Sequence, residues 1–404
     1  MNLTTRQVFP GLEKLIPEKR FQRVDRAVQA LFNRTLIYLE NGRPFIITGD
    51  IPAMWLRDST WQVKPLLKSK HPEVINLLIN LSRTQVQLFL IDPYANSFNP
   101  EPNGKCWHKD FPDQSPWVFE RKYELDSWAA LLYLARKIFE VYGVTEHLDA
   151  NYQNALDVMF KLAKKEQNHD PESYIFKRSN GVEHDSLYND GRGNPTNFTG
   201  MIYSAFRPSD DACKFGYLLP ANLFFLNEIK NLPLAHSRTR FDVLAKVIDS
   251  GINTFGIANG IYAYEVDGFG NNLLIDDANV PSLLSLPFLE VCKIDDPKYQ
   301  ATRKFILSEQ NPYYFSGSKA FGIGSQHTPE NYVWPISIAM SAMTSGDSKV
   351  QLAALEMLEN NDAGTGYMHE SFDVNDDSSF TREWFSWSDM TYVDLVLTAS
   401  DFKN

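Results

Sequence analysis

The stretch WAALLYLARKIFEVY, residues 128–142, sets apolar side chains at Trp128, Leu131, Leu132, Ala135, Ile138, Phe139 and Tyr142. Recurrence at i, i+3, i+4 and i+7 lines these up on one stripe of a helix longer than four turns. The spacing therefore predicts an amphipathic helix. Val74, Leu77, Leu78, Leu81, Leu88 and Phe89 repeat the pattern, as do Tyr152, Ala155, Leu156, Met159, Phe160 and Ala163. Comparable patterns lie near 20–40, 211–229, 238–255, 280–307, 335–360 and 386–401. With hairpin partners included, the chain reads as all-α with about twelve helices.

Between the helices lie six blocks that mix polar and aromatic residues, at 48–61, 121–128, 206–213, 262–279, 322–334 and 364–389. Pro208, Pro281 and Pro335 stand at or beside expected first helical turns, so the blocks gather at helix N-termini. Six helical hairpins closed into a ring would bring all such loops to one end of the inner helices, in one cup. That is an (α/α)6 toroid, expected here as a single domain over residues 1–404 because no linker or composition shift divides the chain. An open solenoid is the rival arrangement, and no recognisable repeat motif supports it.

At 43% hydrophobic and 13% aromatic, the 404 residues have ample material for a core. A net charge of −11 without any long Lys/Arg run argues against nucleic acid or anionic membranes as partners. Cys106, Cys213 and Cys292 are too few and too scattered for a disulfide framework or a zinc site. The N-terminus lacks a secretory apolar region, and no run is read as approaching the ~18 apolar residues of a membrane span. A cytoplasmic protein is the expectation.

The segment DIPAMWLRDSTW, residues 50–61, packs two carboxylates, a guanidinium and two indoles together. Arg57 and Asp58 can fork hydrogen bonds onto neighbouring sugar hydroxyls while Trp55 or Trp61 covers the C–H face. A buried Arg57–Asp58 pair among core tryptophans would read the same. In FRPSDDAC, residues 206–213, Ser209 or Asp210 could simply cap a helix. An acid role for either Asp would need burial and its neighbour's charge to outweigh the helix dipole. Glu370, Asp373, Glu383 and Asp389 stand among Phe372, Phe380, Trp384, Phe385 and Trp387, which suits a cleft floored by rings rather than a solvated face. Arg382 could keep Glu383 ionised, as a base requires. Asp276, Asp277, Asn279, His327, Glu330, Asn331 and Trp334 complete the set.

There is no Walker loop, dinucleotide-binding glycine pattern, HExxH or GxSxG elbow. Two carboxylates across a glycosidic bond suffice to hydrolyse it, but residue types alone do not choose the pair from about a dozen candidates.

GDIPAMWLRDSTWQ at 49–62, ELDSW at 124–128, FRPSDDAC at 206–213, DDANVPSLLSLP at 276–287, and HESF with TREWFSW within 369–387 resemble glycoside hydrolase family 125. These are the bacterial and fungal exo-α-1,6-mannosidases, and the similarity covers nearly the whole chain. The resemblance implies an (α/α)6 fold and removal of non-reducing terminal α-1,6-linked mannose, with inversion and without metal or cofactor. It implies Asp210 as general acid and Glu383 as general base, with carboxyl groups roughly 6.5–9.5 Å apart to admit the attacking water. Trp55, Arg57, Asp58, Asp126, Ser209, Asp211, Asp277, His327 and Glu370 are the residues expected to hold the sugar. Two rivals remain. A sugar epimerase on the same toroid would work through His184, His327 and His369, and a glycan-binding protein would bind mannosides without turnover.

Overall fold

The computed structural model describes residues 1–170, 172–179 and 181–403. Its inner ring is built from the helices Leu56–Val63, Leu125–Tyr142, Leu219–Lys230, Pro335–Met343 and Ser386–Ala399, with Leu125–Tyr142 packed on Leu56–Val63 and Leu219–Lys230, and Ser386–Ala399 on Leu56–Val63 and Pro335–Met343. Glu18–Ala30, Pro72–Ile91, Ala150–Glu166, Ala235–Phe255, Pro297–Ile306 and Ser348–Asn360 form the outer ring. The sixth inner place falls to residues 281–290, which form successive turns where the periodicity over 280–307 predicts helix. Asp276 caps this segment by accepting the Leu283 and Leu284 N–H groups at 2.8 and 2.9 Å. The architecture is an (α/α)6 barrel.

Burial separates the rings. Every residue of Leu56–Val63 is buried, whereas Glu18–Ala30 buries a stripe of Phe21, Val24, Ala27, Val28 and Ala30. The Leu125–Tyr142 helix corrects the amphipathic expectation, because Ala129, Ala130, Tyr133 and Leu134, off the counted stripe, are buried too. An inner helix has neighbours on all sides and so needs apolar residues all round. Pro72–Ile91 is long and apolar enough to span a membrane, at a hydropathy of 1.3, which corrects the reading of the sequence on that point. In the barrel its strongest window is 61% buried, and its Gln85 donates to Ser59 and Thr60 of the inner ring, both at 2.9 Å.

Short strands, two or three residues long, tie the mouth loops together. Trp55 pairs with Ser97, and Ser97 with Glu120. Leu218 pairs with Glu265, and Val333 with Phe372. Trp55, Leu218 and Trp334, after Val333, are helix N-caps, so these ladders fix where the inner helices begin.

Candidate active site

The N-termini of three inner helices open onto one cleft. Trp55, Trp334 and Phe385, the N-caps of three inner helices, line it together with Trp387. Arg57, Asp58, Ser209, Asp210, Asn279, His327, Glu370 and Arg382 supply its polar surface. Among the described residues, buried Trp55 Nε1 has no hydrogen-bond partner and buried Asp58 Oδ1 has only its ion pair with Arg57. Polar atoms without a hydrogen bond in such a lining favour a ligand that brings its own donors and acceptors.

Arg57 is the hub. Its guanidinium lies 3.4 Å from Asp58, 2.5 Å from Glu124, 3.2 Å from Asp126 and 3.7 Å from Asp210. Burial pushes the Asp58 carboxyl up to about 6 against the pull of Arg57. Asp210 sits in a turn where Arg207 N–H bonds Asp211 O at 2.8 Å and Asp210 N–H bonds Arg207 O at 2.9 Å. Its φ of 67° is left-handed, a conformation strained for most L-residues and found preferentially at functional positions. No helix begins here, so the capping role considered for Ser209 and Asp210 does not apply. The next inner helix starts at Leu219.

Glu370 accepts from Thr381 Oγ1 at 2.9 Å and from Arg382 at 3.3 Å. Arg382 also pairs with Asp50 and lies 4.3 Å over the Phe385 ring, so Glu370 is held from behind by a fixed cation.

A model of the metal-independent alpha-mannosidases (GH125) matches residues 14–397. The chain belongs to glycoside hydrolase family 125. A curated relative, the meiotically up-regulated gene 157 protein of Schizosaccharomyces pombe, is 39% identical over 90% of this chain and 78% of its own length. A solved metal-independent alpha mannosidase of Streptococcus pneumoniae, in a non-productive complex with alpha-1,6-mannobiose, is 39% identical over all of both chains, with a TM-score of 0.95. Glycosidases at 13% identity and a D-mannose isomerase at 10%, with TM-scores of 0.56 and 0.54, share the fold alone.

In this family 125 cleft the expected residues divide into two layers. Trp55, Arg57, Asp58, Ser209, Asp210, His327 and Glu370 line it. Asp126, Asp211 and Asp277 are buried and hold lining residues in place. Asp126 holds Arg57. Asp277 accepts from Asn279 at 3.0 Å and Ser325 at 2.7 Å, fixing the turns that carry Asn279 and His327.

Asp211 accepts from His184 Nδ1 at 2.6 Å, His327 Nδ1 at 3.3 Å and Ser209 at 3.1 Å. The donor atoms of His184, Asp211 and His327 lie within 4.8 Å of one another, as metal ligands would, but the two histidine contacts are hydrogen bonds to one carboxylate oxygen.

Glu383 lies on the same segment as Arg382. Residues 369–371 run beside 381–383, with Thr381 N–H bonding Ser371 O and Glu370 N–H bonding Arg382 O. Neighbouring side chains on such a ribbon face opposite ways. Arg382 therefore faces Glu370, and Glu383 is exposed.

Sequence reasoning gives Asn96, Lys122 and Glu124 no role. Asn96 Nδ2 lies 3.2 Å from Asp210 Oδ1, and Lys122 Nζ donates to Asp210 O at 2.6 Å. Glu124 stands in the ELDSW motif, the one signal that points to it.

Burial works against the His327 imidazolium, but Asp211, Glu370 and Asp210 outweigh it and raise its pKa to about 9. The folded value exceeds the unfolded ~6.5, so this contribution to stability is whole below about pH 6.5 and lost as pH rises through the folded value. Urea midpoints of wild type and His327→Ala should therefore converge between those limits. A constant gap across them would show that the charge contributes nothing.

Proposed function

We propose that the chain is an inverting exo-α-1,6-mannosidase in which Asp210 is the general acid and Glu370 the general base. The observation that carries this reading is the placement of both carboxylates in one aromatic-walled cleft, on different loops, in a fold matching a relative that binds alpha-1,6-mannobiose. Asp210 is the more open of the two carboxylates flanking Arg57 on the lining, its side chain 26% exposed against 8% for Asp58. That exposure suits a group that must reach a glycosidic oxygen.

In a single displacement Asp210 gives its proton to the leaving oxygen. Glu370 takes one from the water that attacks C1 on the opposite face. Arg382 and Thr381 keep Glu370 aimed. Arg57, Asp58 and His327 serve the hydroxyls, and Trp55 offers its unpaired N–H or its ring.

The test is a proton NMR time course on α-1,6-mannobiose. Early β-mannose supports inversion, early α-mannose would demand a retaining nucleophile, and no release would remove the hydrolase reading.

A further inference from the structure

The proton that Asp210 must carry has a second home. Four carboxylates, Asp58, Glu124, Asp126 and Asp210, surround the single guanidinium of Arg57. Lys122 offers a second cation, but Asp185 at 3.0 Å and Glu120 at 3.9 Å share it. His327 approaches from the opposite loop and is committed to Asp211. So many carboxylates shielded from water cannot all ionise beside so few cations, so the cluster retains a proton.

The contacts say where. Asn96 Nδ2 lies 3.1 Å from Glu120 Oε2 and 3.2 Å from both Glu124 Oε1 and Asp210 Oδ1. One amide nitrogen has two hydrogens and cannot satisfy three acceptors. Glu124 and Asp210 thus crowd one amide nitrogen, where two ionised carboxylates would repel each other. Of this pair Glu124 is sealed, its side chain 0% exposed, while Asp210 opens to the cleft. Burial drives the Glu124 carboxyl far above its ordinary range, while Asp210, despite burial, is held low by Lys122 and Arg57.

We propose that Glu124 is the proton reservoir for Asp210, holding the shared proton in the empty cleft and passing it forward as the glycosidic oxygen is protonated. This rests on Asp210 being the general acid. In the step, the Glu124 O–H breaks as an Asp210 O–H forms, and Asp210 delivers a proton to the leaving oxygen as its bond to C1 breaks. The attacking water gives its proton to Glu370. Solvent then takes that proton from Glu370 and returns one to the Glu124–Asp210 pair, so only glycoside and water are consumed. Glu124 never touches the sugar and is a positioning residue.

The test is the pH profile of kcat/KM for wild type and Glu124→Gln, on α-1,6-mannobiose and on 2,4-dinitrophenyl α-mannoside, whose leaving group needs no proton. With the glutamine amide of that variant donating to Asp210 and no proton to share, the alkaline limb on mannobiose should move to lower pH. At pH 7 the loss should be roughly 10-fold or more on mannobiose and markedly smaller on the activated substrate. Equal losses on both substrates with the limb unmoved would overturn the proposal and leave Glu124 as a mere support for Arg57. Glu124→Asp, which keeps the charge but shortens the reach to Asp210, should shift the limb in the same direction, and an unshifted limb there also counts against it. If instead Asp210→Asn leaves mannobiose hydrolysis intact, the acid assignment itself has failed, a result distinct from either outcome above.

Discussion

Asp210→Asn should lower kcat/KM on α-1,6-mannobiose by about 10²–10⁴-fold, the usual contribution of a positioned general acid. Asparagine is the informative replacement because it keeps the shape of the side chain and tolerates the left-handed backbone at this position, where φ is 67°. The turn closed by Arg207 and Asp211 should survive, and only the transferable proton is lost. The deficit should therefore shrink sharply on 2,4-dinitrophenyl α-mannoside. A uniform deficit on both substrates would mean that Asp210 shapes the cleft rather than protonating the leaving group.

Replacing Glu370 with Gln should cost a similar 10²–10⁴-fold, but on both substrates, because the attacking water needs a base whatever the leaving group. Glu383→Gln should change the rate by no more than about twofold, as expected of an exposed side chain on the face of the segment opposite Arg382. Steady-state kinetics on the two variants decide between the two glutamates. The reverse pattern would return the base to Glu383.

These two glutamates also mark where the sequence stops being readable. Both stand in one aromatic-rich block, and the resemblance points to the Glu of TREWF. Which of them faces the cleft depends on the alternation of two paired segments, and that pairing leaves no trace in periodicity. Asp210 is legible because FRPSDD is a long local motif, although its expected setting at a helix start is not what the fold provides. The barrel is legible because Trp128, Leu131, Leu132 and Ala135 repeat at helical spacing. The all-round burial of that helix is not, since stripe counting leaves out Ala129 and Leu134, which face other helices.

Asp126, Asp211 and Asp277 are recognisable in the sequence as part of the site, but their bonds to Arg57, Ser209 and Asn279 are not. A buried carboxylate that orients a lining residue and one that meets the ligand carry the same letter. Asn96 and Lys122 escape notice because each matters only through convergence on Asp210 from a separate loop.

The miniature strands at the barrel mouth divide the molecule for an engineer. A residue inserted into any loop there would move its ladder partner too, so a change meant for one sugar contact would arrive at two. The turns at 143–149, 231–234 and 344–347 join inner helices to the outer helices that follow, at the end away from the cleft. They carry no cleft-lining residue. Grafted domains, tags and circular-permutation breaks belong at these seams, where chain length can vary without redrawing the sugar contacts.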